Sequence, residues 1–252
     1  MSDKELIYGI HAVQGLLKSD APRIQEIWFQ NGRDDQRIKK LLDLAKSEGI
    51  PCKFVSRRGL DDLVDEGNHQ GVVAYCALGE THDEAFLQKL IEHLPHPPLL
   101  LVLDSITDPH NLGACMRSAE AAGVDAVIAP RDRSAGLNST ARKVASGAAE
   151  VLPFVTVTNL SRTLQQLQQQ GVWIIGAAGE AEKSLYDADL KGAIALVMGA
   201  EGEGLRRLTR ENCDFLINIP MYGTVSSLNV SVATGVCLFE AIRQRHHPAP
   251  AV

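Results

Sequence analysis

Apolar runs rich in β-branched residues recur through the second part of the chain, and they contain few alternating polar positions. They lie at 99–104, 126–129, 154–157, 173–178, 193–199 and 215–219. Uninterrupted apolar runs of this length are typical of strands that are covered on both faces. Helical periodicity separates most of them, at 112–122, 139–149, 161–169 and 205–210, and a last helix is predicted over 230–245. This alternation predicts βαβ units around a mostly parallel sheet, which is an α/β fold.

The amino-terminal part has shorter elements. Strands are predicted at 24–29, 53–55 and 71–77, and a helix at 37–48. The stretch that follows holds one amphipathic helical pattern and then Pro95, Pro97 and Pro98, which favour an extended connection. We therefore predict a small α/β domain at 1–77, a linker at 78–98 and a larger domain at 99–252.

Composition excludes several classes of protein. The 252 residues carry a net charge of −6, and hydrophobic residues make up 45%, so collagen-like, coiled-coil and disordered chains are excluded. No run approaches the ~18 apolar residues of a membrane span. The first residues show no basic segment followed by an apolar one, so no secretory signal is expected and the cytoplasm is the expected compartment.

Charge and cysteine spacing restrict the ligands. The acidic balance argues by itself against a nucleic-acid partner, so any RNA surface has to come from local clusters. These are Arg131 with Arg133, Arg142 with Lys143, and Arg206, Arg207 and Arg210, although such clusters are also typical of an ordinary solvated surface. The five cysteines form no CxxC pair, and His93 and His96 are separated by proline, so no metal site is predicted.

Polar and glycine residues crowd the predicted carboxyl ends of three strands, which is the edge where open α/β sheets bind ligands. The first such segment is 104–123. Asn111 is expected to cap the following helix, and Arg117 lies six residues later. These positions are about 120° apart around a helix, so both side chains can border one pocket. The alternative is a capped helix with a surface arginine.

The other two segments are 197–214 and 217–235. Gly199, Gly202 and Gly204 stand in the order GxxGxG, the reverse of the dinucleotide fingerprint, and Leu205 occupies the place of a phosphate-binding lysine. A nicotinamide or nucleoside triphosphate site is therefore disfavoured, which leaves a loop whose backbone can approach a ligand, with Glu201 as its first charged group. In the third segment, Ser and Asn residues between 226 and 231 exceed what helix capping requires.

Together these motifs resemble the SpoU/TrmH branch of the SPOUT RNA methyltransferases. The matching residues run in order: Asn111-x-Gly113-x-x-x-Arg117, Gly199-Ala-Glu201-Gly-x-Gly204, and Ile219-Pro-Met-x-Gly223 followed by Ser227-Leu-Asn229-Val-Ser231. The segments 8–13 and 68–74 resemble the substrate-binding domain, similar to ribosomal protein L30e, of the bacterial enzymes that methylate a guanosine ribose in the peptidyl-transferase P loop of 23S rRNA. No motif position departs from the pattern.

The resemblance implies a deep trefoil knot, S-adenosylmethionine as cofactor and a homodimer formed through the larger domain. Carried over by motif, Gly199, Ile219 and Leu228 are expected to contact the cofactor. Asn111, Arg117, Glu201, Ser227 and Asn229 are expected to form the catalytic pocket, with Asn111 orienting Arg117.

Three alternatives remain open from the sequence. The same chemistry on tRNA uses the same motif residues, and the amino-terminal domain favours rRNA. A non-catalytic RNA-binding factor for ribosome assembly is disfavoured by the intact motif residues. A dinucleotide oxidoreductase is disfavoured by the order of the glycines.

Overall fold

A computed structural model describes residues 4–33, 35–64, 67–77, 82–200 and 202–246. Its strands are β1 (Lys4–Tyr8), β2 (Ile24–Gln30), β3 (Cys52–Val55), β4 (Val72–Ala77), β5 (Leu99–Asp104), β6 (Ala126–Pro130), β7 (Phe154–Val157), β8 (Trp173–Ala177), β9 (Ile194–Gly199) and β10 (Phe215–Ile217). Its α-helices are α1 (Ile10–Ser19), α2 (Gln36–Ser47), α3 (Arg57–Asp61), α4 (Glu84–His93), α5 (Pro109–Ala121), α6 (Ser139–Ala145), α7 (Leu160–Gln169), α8 (Arg207–Glu211) and α9 (Val230–His246).

These elements form two compact units. Unit 1 comprises residues 1–80 and 137–151, and unit 2 comprises residues 81–136 and 152–252. This division differs from the predicted boundaries in two places. The segment 137–151 groups with the amino-terminal unit, and the predicted linker contributes α4 to unit 2. Helix α4 joins that unit because its apolar face buries Leu87 in the core beside β7.

Unit 1 is a four-stranded sheet in the order β1-β4-β2-β3. The pairs β1–β4 and β2–β4 are antiparallel, and β2–β3 is parallel. Leu16 of α1, Leu41 of α2 and Phe29 of β2 are buried in one core with their neighbours. The sequence patterns missed β1, α1 and α3, because β1 begins with charged residues and α3 has only five residues.

The segment 137–151 is held in unit 1 by a buried ion cluster. Arg142 of α6 pairs with Glu150 at 2.6 Å, and Arg23 pairs with Glu5. Glu150 also lies 3.6 Å from Arg23, and its side chain is 1% exposed. Burial raises the pKa of the Glu150 carboxyl, and the Arg142 charge opposes that rise. The expectation that Arg142 belongs to an exposed RNA-facing cluster is wrong, because these carboxylates enclose its guanidinium.

Close backbone packing explains one glycine of this segment. Gly147 has a φ of +96°, and a Cβ there would lie 2.8 Å from the carbonyl oxygen of His11 on α1. The other side of the contact is Gly15 of α1, where an added Cβ would lie 3.2 Å from the Gly147 oxygen. A side chain at residue 147 would therefore push the segment away from α1.

Unit 2 is a six-stranded sheet in the order β10-β8-β9-β5-β6-β7, and every neighbouring pair is parallel. All six residues of β5 are buried, as expected for a central strand with helices on both faces. The α/β class and the parallel sheet are thereby confirmed. The trefoil knot stays a prediction.

Helices α5 and α9 pack against each other, and this pairing brings the first and third motifs together. Cys115 of α5 and Thr234 of α9 are fully buried, and their Sγ and Oγ1 atoms lie 3.5 Å apart. Ser118 of α5 is the nearest side chain to Gly235 of α9, where an added Cβ would lie 3.8 Å from its Oγ. Small residues on both helices thus allow their close approach.

Candidate active site

A hydrogen bond joins the first and third motifs. Asn229 donates from Nδ2 to Oδ1 of Asn111 at 3.0 Å. Asn111 lies in the first turn of α5, and Asn229 immediately precedes α9. The two amides therefore meet at the amino-terminal ends of two packed helices, at positions 118 residues apart in the chain.

Asn229 also orders the start of its own helix. Its Oδ1 accepts hydrogen bonds from the backbone N–H of Ser231 at 2.9 Å and from the Ser231 hydroxyl at 2.6 Å. With Oδ1 accepting and Nδ2 donating, the amide is fixed in one orientation. This polar group therefore both caps α9 and holds Asn111, which accounts for part of the excess of polar residues at this helix start.

The cap of α5 is Asp108 and not Asn111. Asp108 accepts a hydrogen bond from the backbone N–H of His110, and Pro109 begins the helix. Proline suits the first helical position because its missing N–H has no acceptor there. The expectation that Asn111 caps this helix is wrong by one turn. As a consequence, its side chain is available to Asn229.

Arg117 lies on the exposed side of α5, two turns beyond Asn111. Among the residues that the structure describes, its side chain makes no hydrogen bond and no ion pair. Six residues of helix span about 9 Å along the axis, and no hydrogen bond joins Arg117 to Asn111 in the described residues, so the orienting contact stays a prediction. The guanidinium is presented to solvent, where an incoming ligand can meet it.

The glycine loop after β9 is packed against its own backbone. Gly199 ends β9, and a Cβ there would collide with the backbone of Gly204 and Leu205. Ala200 and Gly204 exchange two backbone hydrogen bonds, at 3.1 and 2.9 Å. Gly204 has a φ of +69°. Glycine is therefore required here by the folding of the loop itself.

Three of the remaining predicted positions lie between β10 and α9. Ile219 and Leu228 are half-buried, and Ser227 is exposed, on the long connection between β10 and α9. Glu201 lies outside the described residues. Half-buried apolar side chains, and a loop whose backbone can approach a ligand, both suit the binding of a flat apolar ring whose edge is read by main-chain groups.

Sequence reasoning missed Asp104, which is fully buried at the end of β5. Its carboxylate accepts hydrogen bonds from the backbone N–H of Arg206 at 2.9 Å and from Nε of Arg206 at 2.5 Å. A buried carboxylate is stable only when it is paired and hydrogen-bonded, so this contact anchors the end of the glycine loop to the central strand. The signal available in the sequence was that this aspartate ends the apolar run 99–104.

The two motifs of unit 1 also meet. Gln70 accepts a hydrogen bond from the backbone N–H of Ile10 through Oε1 at 3.1 Å. Buried His69 accepts one from the N–H of Gly71 through Nδ1 at 2.9 Å, and its Nε2 lies 3.0 Å from Asp61. Because Nδ1 accepts, the proton is on Nε2 and is donated to the carboxylate. This network holds the loop that joins α3 and β4 against the start of α1.

Two kinds of feature are absent from the ranges that the structure describes. In residues 4–33, 35–64, 67–77, 82–200 and 202–246, no group of three or more His, Cys, Asp and Glu side chains is arranged to hold a metal ion. In the same ranges, no helix is long and apolar enough to cross a membrane.

Comparison with known proteins finds two family matches. Residues 98–239 match the SpoU rRNA methylase family, and residues 6–82 match the RNA 2'-O ribose methyltransferase substrate-binding domain.

Curated relatives match along almost the whole chain. It is 58% identical over 245 residues to the 23S rRNA (guanosine-2'-O-)-methyltransferase RlmB of Pseudomonas aeruginosa, covering 97% of this chain and 98% of that protein. It is 57% identical over 241 residues to the RlmB of Escherichia coli K12, covering 96% and 99%. A crystal structure of an RNA 2'-O ribose methyltransferase is 28% identical with a TM-score of 0.78, covering 96% of this chain and 89% of that one.

Proposed function

This chain belongs to the SpoU rRNA methylase family, and from that premise we propose that it transfers a methyl group from S-adenosylmethionine to the ribose 2'-oxygen of a guanosine in 23S rRNA. The observation that carries the proposal is the Asn229–Asn111 hydrogen bond, because it joins two of the three motifs at one edge of the sheet. The activity for which relatives that match nearly end to end are named supports this substrate. The reaction is expected to occur in the bacterial cytoplasm, where ribosomes are assembled.

The residues of the third motif and the glycine loop fit the cofactor. We assign cofactor contacts to Gly199, Ile219 and Leu228, because Gly199 belongs to a close-packed backbone loop and the other two are half-buried apolar residues of the third motif. When bound, S-adenosylmethionine supplies a sulfonium methyl group to an attacking oxygen. The chain itself binds and orients the two reactants and excludes water.

Arg117 has the central catalytic role in this proposal. A ribose 2'-hydroxyl is barely acidic, so the negative charge that develops on its oxygen must be stabilised as it attacks the methyl group. A guanidinium is effectively always protonated, so Arg117 acts electrostatically on that oxygen and on the neighbouring RNA phosphate. Asn111 and Asn229 fix the pocket beside it, and Ser227 and Glu201 complete the catalytic set.

Substitution of Gly199 by alanine tests the cofactor assignment. The added Cβ collides with the backbone of Gly204 and Leu205, which cannot move aside as a side chain would. We expect affinity for S-adenosylmethionine to fall by about 10²-fold, as for a displaced binding group, measured by calorimetry. The matched control is Gly192→Ala, since a Cβ at Gly192 meets nothing within 4 Å. Equal affinity in the two variants would contradict the assignment.

The position of the target nucleotide in the RNA is the more specific part of the proposal. We place the target in the peptidyl-transferase P loop and assign unit 1 the role of binding the RNA, which its match to a substrate-binding domain supports. The test is a map of ribose 2'-O-methyl groups on rRNA and tRNA from cells that lack this gene. Loss at one P-loop guanosine with tRNA unchanged is expected.

The other results of that map are equally informative. Loss of a tRNA methyl group with rRNA intact would overturn the substrate in favour of the tRNA alternative. An unchanged map, together with purified protein that binds no S-adenosylmethionine, would indicate a non-catalytic RNA-binding factor.

A homodimer through α9 is part of the same proposal. Val232 and Phe239 of α9 are 52% and 51% exposed, and Val236 between them is half-buried. These positions form one apolar stripe along the helix. Arg117 on α5 and Asn229, three residues before Val232, are also exposed, and α5 packs against α9. A second copy packed on this helix pair would enclose the pocket.

Phe239→Lys tests the dimer. A charge in the middle of the apolar stripe is expected to convert the protein to a monomer in light-scattering measurements and to lower methyl transfer at least about tenfold, because an unpaired buried charge opposes association. Val151→Lys is the control, since Val151 is 43% exposed and lies outside α9. A Phe239→Lys protein that stays dimeric would contradict this interface.

A further inference from the structure

A cavity of about 400 Å³ opens at the carboxyl edge of the sheet in unit 2, and none of its lining residues belongs to the three motifs. It lies between the end of β6, the start of α7 and the start of α8. Its polar lining includes Arg133, Thr158, Ser161, Arg206, Arg207 and Thr209. We call this site the arginine cavity. It brings together residues from two of the basic clusters seen in the sequence, which are more than 70 residues apart in the chain.

The three arginines differ in how far they are already engaged. Arg133 is exposed, and its side chain has no hydrogen-bond or ion-pair partner in the part of the chain that the structure describes. Arg206 uses its backbone N–H and Nε for Asp104, so the bonds recorded for it leave the two terminal nitrogens to the cavity. Its link to a buried carboxylate fixes the position of its guanidinium.

Arg207 is held only weakly. Its Nη1 lies 2.7 Å from Glu211, but the two side chains are 76% and 52% exposed. An exposed pair of this kind contributes about 0–1 kcal/mol, so a ligand anion can replace the carboxylate. One carboxylate, Asp132, also lines the cavity, and it is exposed.

The remaining lining identifies the chemistry of the ligand. The hydroxyl groups of Thr158 and Ser161 add hydrogen-bond donors, whereas Thr209 is buried. Among the residues that the structure describes, no aromatic side chain lines the cavity for a base to stack on. The cavity also adjoins the first turn of α7, whose amino-terminal end favours an anion. Guanidinium groups bind phosphate oxygens in pairs. The lining therefore matches a phosphate group and not a nucleobase.

The backbone of Arg133 is a further sign of a positioned side chain. Its φ is +58°, a conformation that costs a non-glycine residue about 1 kcal/mol. This residue lies three positions after the end of β6, and it borders the cavity.

We propose that the arginine cavity binds a phosphodiester group of the RNA substrate, outside the site of methyl transfer. The inference rests on the proposed function, because it takes the RNA as given and adds the place on unit 2 where its backbone is held. It also answers how an acidic protein binds RNA in this unit. The cations are gathered at one point although the net charge is −6.

The test is the double variant Arg133→Asn with Arg207→Gln, in the full-length protein. Asparagine is chosen at 133 because it tolerates a positive φ, and Arg206 is kept because buried Asp104 needs it. We expect about tenfold weaker binding of a 23S rRNA fragment at ~0.1 M salt, and a slope of log affinity against log salt that is smaller by about 1.5, as for two lost phosphate contacts. We expect kcat at saturating RNA and the affinity for S-adenosylmethionine to remain unchanged.

The control is Lys89→Gln with Lys191→Gln. It also removes two positive charges, from exposed positions of unit 2 that do not line the cavity. The inference would be overturned if the arginine variant had the wild-type slope of log RNA affinity against log salt. It would also be overturned if the lysine control changed that slope by the same amount. A matching loss of S-adenosylmethionine affinity would also overturn it, because the cavity would then belong to the cofactor site. The proposed function fails separately, if the wild-type protein methylates no 23S rRNA.

Discussion

Arg117→Ala is expected to lower kcat for methyl transfer by about 10²–10³-fold, which is the usual effect of removing one group that stabilises a developing oxyanion. The fold should be retained, because the Arg117 side chain is exposed and makes no hydrogen bond or ion pair within the described residues. The measurement is transfer of a labelled methyl group from S-adenosylmethionine to a 23S rRNA transcript at saturating RNA, with thermal unfolding followed in parallel.

Two further variants distinguish the loss of Arg117 itself from the loss of one positive charge anywhere on the protein. Arg37→Ala removes an exposed arginine from α2 of unit 1 and should leave kcat at saturating RNA unchanged. Arg117→Lys should restore part of the rate, since the proposed role is electrostatic, but not all of it, because an ammonium group lacks the paired donors of guanidinium. Near-normal turnover in Arg117→Ala would remove this residue from the catalytic set. The same measurement on Glu201→Ala, also expected to lose methyl transfer, decides the role of Glu201.

Arg142→Ala is expected to lower the free energy of unfolding of unit 1 by about 3–5 kcal/mol, as when one partner of a buried ion pair is removed. The substitution leaves the Glu150 carboxylate, 1% exposed, without its closest cation, with Arg23 at 3.6 Å. Unit 1 can be followed on its own in a Trp173→Phe background. The chain has two tryptophans, and Trp28, the other one, lies in β2 of unit 1.

The pH dependence identifies the carboxylate as the cause. Burial already raises the pKa of Glu150, and loss of the Arg142 charge raises it further above its value in the unfolded chain. A group with a raised pKa in the folded state stabilises the fold below its unfolded pKa, and this contribution is lost as the pH rises through the folded pKa. The cost of Arg142→Ala should therefore shrink as the pH falls from 7 toward about 5. Arg37→Ala, with a cost below about 0.5 kcal/mol at each pH, is the control, and a pH-independent cost would contradict the mechanism.

Most of the larger sheet was predictable from local pattern. Strands β5 and β7 have the bounds that the apolar runs predicted, and β6, β8 and β9 differ by one residue at an end. Central parallel strands are apolar on both faces, so each one is visible in the sequence without its neighbours. β10 ends at Ile217, two residues before the predicted end, because the edge strand leaves the sheet for the loop that carries Ile219.

The elements of unit 1 were harder to predict, for a physical reason. Its strands are short and half-exposed, so β1 and α3 have weak apolar patterns, and their stability comes from pairing with distant segments. The grouping of segment 137–151 with unit 1 is the clearest example of a feature that the sequence did not predict. Nothing in residues 139–145 predicts that α6 packs with β1 or that Arg142 reaches Glu5, because both contacts join parts of the chain more than 120 residues apart.

The sequence by itself determined the family, the α/β class and the three motif segments, since each depends on residue types at short spacing. Only the tertiary structure decided which of those residues meet: Asn111 with Asn229, Asp104 with Arg206, and Arg133 with Arg206 and Arg207 around one cavity. The tertiary structure also buries most of the Arg142 side chain beside Glu150. The difference follows from the physics of folding, because hydrophobic periodicity is local in the chain, whereas ion pairing and burial depend on which distant segments the packed core brings together.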